Sequence, residues 1–255
     1  MTTAENAHRD TVAPRRRPSP MLWWTLGLIA AFLLMAISVA ATPSAPFPQP
    51  LDDWWRGLVG ASPDSGLYRT AIPSFFQSMG EAGGYGTAVL ASVLVLLIAG
   101  RWRSALFFLS SAAVASLVFA QATKKLVSRP RPSADEVLGL YGPIFEVDHG
   151  SFPSGHVVGF AALIVSFGAL IPASRVVARR TWWVLAVVLV AGMMWQRTLV
   201  NAHWLSDTFF GAVGGVAGAL LVWWAYWPWL QRDYGRPVRL LPRRSQSPDT
   251  IPLER

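Results

Sequence analysis

The chain contains no cysteine and only four histidines. The missing thiols exclude disulfides, thiolate metal sites, iron–sulfur clusters and a cysteine nucleophile, so any chemistry falls to other side chains. Charge is scarce as well: 14% of the 255 residues are charged, against roughly a quarter in an ordinary soluble domain. So few charges cannot cover a water-facing surface of this size, and a hydrophobic content of 53% excludes a disordered chain. Lipid is the expected solvent for much of the molecule. Acidic residues are the scarcer sign, which leaves a net charge of +8. Such an excess suits either a nucleic-acid surface or the loops of a membrane protein, and position decides between them.

Long apolar runs are what the chain has in abundance. Six lie at about 21–41, 85–100, 105–123, 155–173, 182–200 and 207–230, each near the roughly 17–25 residues of a spanning helix. The first is longer than the ~7–15 apolar residues of a cleaved signal peptide and reads as a retained anchor behind a polar, cytoplasmic, disordered tail at 1–20. A second disordered tail is expected at 231–255, so the membrane domain is predicted over 21–230. Counting charge on alternate sides puts fifteen arginines on the side of the two tails and seven basic residues on the other. Both termini are therefore expected in the cytoplasm, with the long connections 42–84 and 124–154 outside. The positive charge is thus a topology signal that calls for no nucleic acid, and the juxtamembrane arginines should attract anionic lipid headgroups. The expected fold is an all-α polytopic membrane protein of six transmembrane helices.

Several features are assigned to structure alone. Lys125 and Arg129 read as anchors at a span end, His149 as a solvated loop residue, and His8 as part of the tail. Gly211, Gly214, Gly215 and Gly218 suit close helix packing, since no phosphate-loop Lys-Ser/Thr follows them. Trp182, Trp183, Trp223, Trp224, Trp227 and Trp229 suit an interfacial belt, and Leu51-Asp52-Asp53-Trp54-Trp55-Arg56 an amphipathic interfacial patch.

With this topology, four helix ends meet on the extracytoplasmic side, and three residue clusters meet there with them. These are Lys124-x6-Arg131-Pro132, Pro153-Ser154-Gly155-His156 and Arg197-x5-His203-x3-Asp207. Lys124, Arg131 and Arg197 supply three cations whose donors match an oxyanion. Ser154 and Gly155 open a helix whose free amides and dipole favour the same guest. If the last helix reaches back through residue 203, Asp207 shares a face with His203 and accepts its Nδ1–H, which leaves Nε2 as a nucleophile. His156, on another helix, is then the candidate general acid.

These three clusters resemble the signature of the type 2 phosphatidic acid phosphatase superfamily, the lipid phosphate phosphatases: K-x6-RP, PSGH and SR-x5-H-x3-D, in that order. The resemblance implies an integral-membrane, metal-independent and cofactor-free hydrolase. In it His203 forms a phosphohistidine, Asp207 orients it and His156 protonates the leaving group, while Lys124, Arg131, Ser154, Gly155 and Arg197 bind the phosphate. The implied partners are membrane lipids and a lipid phosphate or diphosphate at the outer leaflet: an isoprenoid carrier diphosphate such as undecaprenyl diphosphate, phosphatidylglycerophosphate or phosphatidic acid. One position departs from the pattern, with Gln196 where the family has serine. A phosphotransferase using the same histidine, and a catalytically silent lipid-binding protein, are the alternative readings.

Overall fold

In the computed structural model the described residues are 16–148 and 150–234. The expected tails, His8 and His149 lie outside them, apart from the few residues nearest the first and last helices. Every regular element among the described residues is helical. Pro18 and Pro20 open α1 (Ser19–Ala41), where a missing N–H costs nothing. Proline also flanks the start of α2 (Gln49–Val59). Helices α3 (Ala71–Gly80) and α4 (Ala82–Ile98) meet at Glu81 with a 70° bend. The elbow is possible because Gly84 has no side chain: a Cβ there would stand 1.9 Å from the Ser78 carbonyl oxygen. Gly100, at φ 72°, turns the chain into α5 (Trp102–Ala113). That helix runs on through a widened π-helical stretch (Val114–Ala122) into the single turn α6 (Thr123–Leu126). After the long connection come α7 (Gly155–Leu170), α8 (Val176–Leu199) and α9 (Leu205–Tyr234).

The molecule is an all-α polytopic membrane protein. Among the described residues, four helices are long and apolar enough to cross a bilayer: α1, the continuous rod Trp102–Leu126, α8 and α9. The bent α3–α4 pair makes a fifth if it counts as one span. The span expected at 155–173, α7, has 16 residues, about 24 Å of rise against a ~30 Å hydrocarbon core. Its position explains its length. Nearly every residue from Val157 to Ala169 is buried, so α7 is a central post whose apolar sequence answers to other helices rather than to lipid.

Glycines bring α9 against that post. A Cβ on Gly215 would lie 2.3 Å from the Val158 carbonyl oxygen, and one on Gly211 3.0 Å from that of Ser154. Gly214 and Gly218 admit the rings of Phe32 and Phe119, which stack edge to face in the main core cluster. The glycines are packing residues, as expected. The tryptophan belt holds only in part. Trp223 is buried in the core and Trp182 donates to the Ile164 carbonyl at 3.1 Å, whereas Trp229 is exposed. In a bundle wound around a buried post, a ring near a span end serves packing whenever it faces inward.

The two ends of the bundle differ. At one, Arg17 donates to the Ala225 carbonyl, and Asp233 accepts from Arg103 and from both the N–H and hydroxyl of Ser104. The other end is roofed by α2 and the connection 127–154, stitched down by backbone bonds from Ala61 to Leu199, Ile144 to Val200 and Ser151 to Arg129. α9 starts beneath this roof.

Candidate active site under the helical roof

α9 begins at Leu205, so His203 precedes the helix instead of sharing its face with Asp207. The sequence expectation that Asp207 takes the Nδ1–H is corrected accordingly. Nδ1 lies 2.7 Å from the Ser151 carbonyl oxygen and 3.8 Å from the Asp207 carboxylate. A carbonyl only accepts, so Nδ1 carries the proton. Arg131 Nη1, always a donor, stands 3.2 Å from Nε2, which must therefore offer its lone pair. Both neighbours select the same neutral tautomer. Burial, reinforced by the charges of Arg131, Arg197 and Lys124, drives the His203 pKa well below its ordinary value and so acts in the same direction.

Asp207 acts one step removed. Its Oδ2 accepts from the Ser151 hydroxyl and, at 3.0 Å, from the Trp204 N–H, tying down the residue before the helix as a capping-box carboxylate does. Its Oδ1 lies 2.6 Å from Arg129 Nη1. Ser151 is thus held from its side chain while its carbonyl holds the imidazole.

Arg129, read from sequence as a snorkelling anchor, is instead 1% exposed and central. Besides Asp207 it meets Asp52 at 2.7 Å, Gln49 Oε1 at 2.8 Å and the Ser206 hydroxyl at 2.8 Å. Asp52 reciprocates by accepting from the Ser206 N–H and hydroxyl at the start of α9. Burial raises the Asp52 pKa, and the bonds from Arg129 and Ser206 pull against that rise. The amphipathic patch 51–56 therefore has two sides. Leu51 and Trp54 are exposed, as is Leu58 just beyond the patch, while Asp52 and Trp55 face inward, Trp55 donating to the Thr198 hydroxyl at 3.0 Å. The one available signal was the Arg129-Pro130-Arg131-Pro132 repeat, whose two arginines looked alike but face different partners.

The expected cations do converge. Lys124 is buried, and its ammonium lies 2.9 and 3.0 Å from the two Asp148 oxygens. Arg131 donates to the Ala202 carbonyl at 2.6 Å, the Asp148 carbonyl at 3.0 Å and the Asp148 carboxylate at 2.5 Å. Asp148, which no motif marked, bridges two of the three cations. Burial alone would raise its pKa, but the neighbouring Lys124 and Arg131 prevail and hold it below the usual carboxylate value. Arg197, 2% exposed, holds the His203 N–H through its own carbonyl at 3.3 Å and directs its guanidinium at Gln77 Oε1, 2.5 Å away. Ser154 joins the ring through its N–H, which donates to the Asp207 carbonyl at 3.1 Å, and Gly155 begins α7. His156 lies within electrostatic reach of Arg197, His203, Lys124 and Arg131. Three buried polar atoms of this ring have no hydrogen-bond partner among the described residues: Ser154 Oγ, His156 Nε2 and Arg197 Nε.

A helical membrane bundle with a neutral, oriented histidine set among cations at one end is built to handle a phosphoric ester, and the comparisons place it among such proteins. Residues 104–231 match the PAP2 superfamily, and the chain belongs to that family; it is a phosphoric ester hydrolase. Its fold is similar to a solved structure described as the first transmembrane PAP2 type phosphatidylglycerolphosphate phosphatase from Bacillus subtilis. The TM-score is 0.63 at 16% identity, over 82% of this chain and 97% of that one. Comparison with curated proteins found no match.

Proposed function

We propose that the chain is a metal-independent phosphatase that removes a terminal phosphate from a lipid phosphate or diphosphate through a phosphohistidine on His203. The observation that carries this reading is the set of unpartnered buried atoms Ser154 Oγ, His156 Nε2 and Arg197 Nε around the neutral His203. Buried polar atoms are nearly always satisfied, and a tetrahedral phosphate among Lys124, Arg131 and Arg197 supplies acceptors for the cations and the hydroxyl.

In the first half-reaction Arg131 turns its Nη1 from the His203 lone pair to a phosphate oxygen, and Nε2 attacks phosphorus in line. The P–O bond to the lipid breaks as His156 donates a proton to the departing oxygen. The phosphoimidazole ring gains positive charge, spread toward the Ser151 carbonyl and Asp207. Water then attacks phosphorus, His156 takes its proton, and inorganic phosphate leaves with Nε2 restored. The cations stabilise charge on the equatorial oxygens throughout.

The charge asymmetry supports an arrangement of six spans, both termini cytoplasmic and the site at the outer leaflet. Phosphatidylglycerophosphate, the lipid named for the Bacillus subtilis relative, comes first in a substrate panel with phosphatidic acid and an isoprenoid diphosphate. The test is phosphate release by the purified chain and by H203A, with rapid denaturation of the wild type during turnover of a labelled phosphoester. The expected result is an acid-labile, base-stable phosphoenzyme, activity that survives EDTA, and no turnover by H203A. Undiminished hydrolysis by a folded H203A would overturn the reading.

A further inference from the structure

We propose that the α3–α4 elbow, outside the family-matched region, positions two of the phosphate-handling residues: Gln77 aims Arg197, and the bare Cα of Gly80 lets the elbow close on His156. The inference rests on the phosphatase reading and deepens it.

Gln77 sits in the last turn of α3, one helical turn before Glu81. Its Nε2 donates to Glu81 Oε1 at 2.8 Å. A carboxylate only accepts, so the amide orientation is set and Oε1 must face the other way. That oxygen accepts from Arg197 Nη1 at 2.5 Å and from Gln196 Nε2 at 3.0 Å. Gln196 is the residue at which this chain departs from the family's serine. It is wholly buried and spends its amide on Gln77, its own Oε1 lying 3.4 Å from Arg197 Nη1. The chain Glu81, Gln77, Gln196 and Arg197 thus fixes a guanidinium to which no carboxylate among the described residues is bonded, leaving its charge for a ligand. In place of a serine hydroxyl inside the motif, an amide pair supports the arginine, Gln196 on α8 and Gln77 brought in from α3.

Gly80, three residues on, bears on the second residue. A Cβ at Gly80 would fall 2.1 Å from His156 Cδ2 and 2.6 Å from Cγ. An imidazole cannot yield that distance without moving, so any side chain here displaces the proposed general acid. The two contacts make separable chemical predictions, because Arg197 holds the phosphate whatever it is esterified to, whereas His156 matters only to the extent that the leaving group needs a proton.

The experiment uses the full chain in lipid nanodiscs, with Q77A, Q77E, the exchanged pair Q77E/E81Q, and G80A. Turnover is measured on a lipid monoester with an alkoxide leaving group and on p-nitrophenyl phosphate, whose phenolate leaves unaided. Q77A should lower kcat/KM by about 10- to 100-fold on both esters, part of the loss seen on removing a full oxyanion donor. Its vanadate-induced thermal shift should shrink, while its unliganded midpoint falls by no more than about 12 °C, as the loss of its three hydrogen bonds allows. Q77E sets two carboxylates against each other and should be similarly impaired. The Q77E/E81Q exchange rebuilds the hydrogen bonds but sets a carboxylate on Arg197 Nη1, so the guanidinium's charge no longer stands free for a ligand and the exchange should stay impaired on both esters. G80A should lose at least about tenfold more on the alkyl ester than on the nitrophenyl ester. Equal losses of G80A on both esters, a Q77A chain with wild-type kcat/KM and vanadate shift, or a Q77E/E81Q exchange with wild-type kcat/KM would each overturn the assignment. If wild type releases no phosphate, the phosphatase reading fails by itself, and the vanadate shift of Q77A against wild type still decides the role of Gln77.

Discussion

Replacing Asp207 by asparagine separates two ways a carboxylate can serve a histidine. Where an aspartate directly holds the Nδ1–H of a catalytic histidine, the amide substitution selects the wrong tautomer and costs about 10⁴ in kcat. Here the Nδ1–H goes to the Ser151 backbone carbonyl, 2.7 Å away, and that acceptor survives in D207N. What is lost is a charge 3.8 Å from the ring. In an effective dielectric of about 20 this amounts to about 4 kcal/mol on an imidazolium-like ring. Arg129, 2.6 Å from the other carboxylate oxygen, offsets a large share of that field. The remainder, about 1.4 to 2.8 kcal/mol, predicts a 10- to 100-fold fall in kcat.

Stability should suffer more than chemistry. An amide keeps one acceptor where the carboxylate serves Ser151, Trp204 and Arg129, and it leaves the buried guanidinium with one carboxylate, Asp52, in place of two. A loss of about 3 kcal/mol is expected for breaking such a pair, or about 6–12 °C in the thermal midpoint of a chain of this size. Phosphate release from a lipid monoester in nanodiscs, alongside a thermal melt, measures both. A 10⁴-fold loss of kcat with an unchanged midpoint would refute the reasoning and restore the direct Asp207–His203 pair.

Three further outcomes follow from the same geometry. D148N removes the carboxylate that competes with phosphate for Lys124 and Arg131, so vanadate inhibition should tighten by about 2- to 10-fold, a modest gain because Asp148 is half exposed; weaker inhibition would show that Asp148 assists the ligand instead. His203, buried and neutral, refuses the proton that its unfolded form accepts below about pH 6.5. Wild type should therefore lose stability relative to H203Q as pH falls from about 7.5 to about 5, and a midpoint difference that holds or moves the other way would contradict this. R129M strands Asp52 and Asp207, both without side-chain exposure, and should cost about 3–5 kcal/mol and most of the folded yield. R129M/D52N should recover part of it, and a fully stable R129M would remove Arg129 from the centre of the site.

The parts of the site legible in sequence are those whose geometry is carried by covalent spacing. Six residues between Lys124 and Arg131, or five between Arg197 and His203, bring each pair to one helix end whatever the rest of the chain does. Apolar runs marked the helices but not their limits. The run 182–200 begins six residues after α8 does, because Arg179, Arg180 and Thr181 are helical without being apolar. At the other extreme α7 stops at Leu170, short of the run's end at 173, where Pro172 forbids continuation. What stayed hidden was every partner brought from afar. Asp52 reaches Arg129 across 77 residues, and Gln77 reaches Arg197 across 120. No periodicity records such pairs. The misread His203–Asp207 pair fails for a related reason: i, i+4 implies contact only on a helix, and α9 starts two residues too late.

Those distant partners also bear on where the functional unit begins. The family match opens at residue 104, yet Asp52 and Gln77 lie well before it, on α2 and α3. Asp52 answers the buried charge of Arg129 and, through Ser206, two donors at the first turn of α9. A polar helix start closed over by protein needs such acceptors. Gln77, outside the motif, accepts from the Arg197 guanidinium at 2.5 Å. Without α2 the buried Arg129 would lose one of its two carboxylates and Ser206 its acceptor at the first turn of α9, and without α3 the third cation would lose its support. The residues before 104 therefore stand to the catalytic motifs as inner wall to cavity, and their substitution should register in turnover as directly as changes to the motifs themselves.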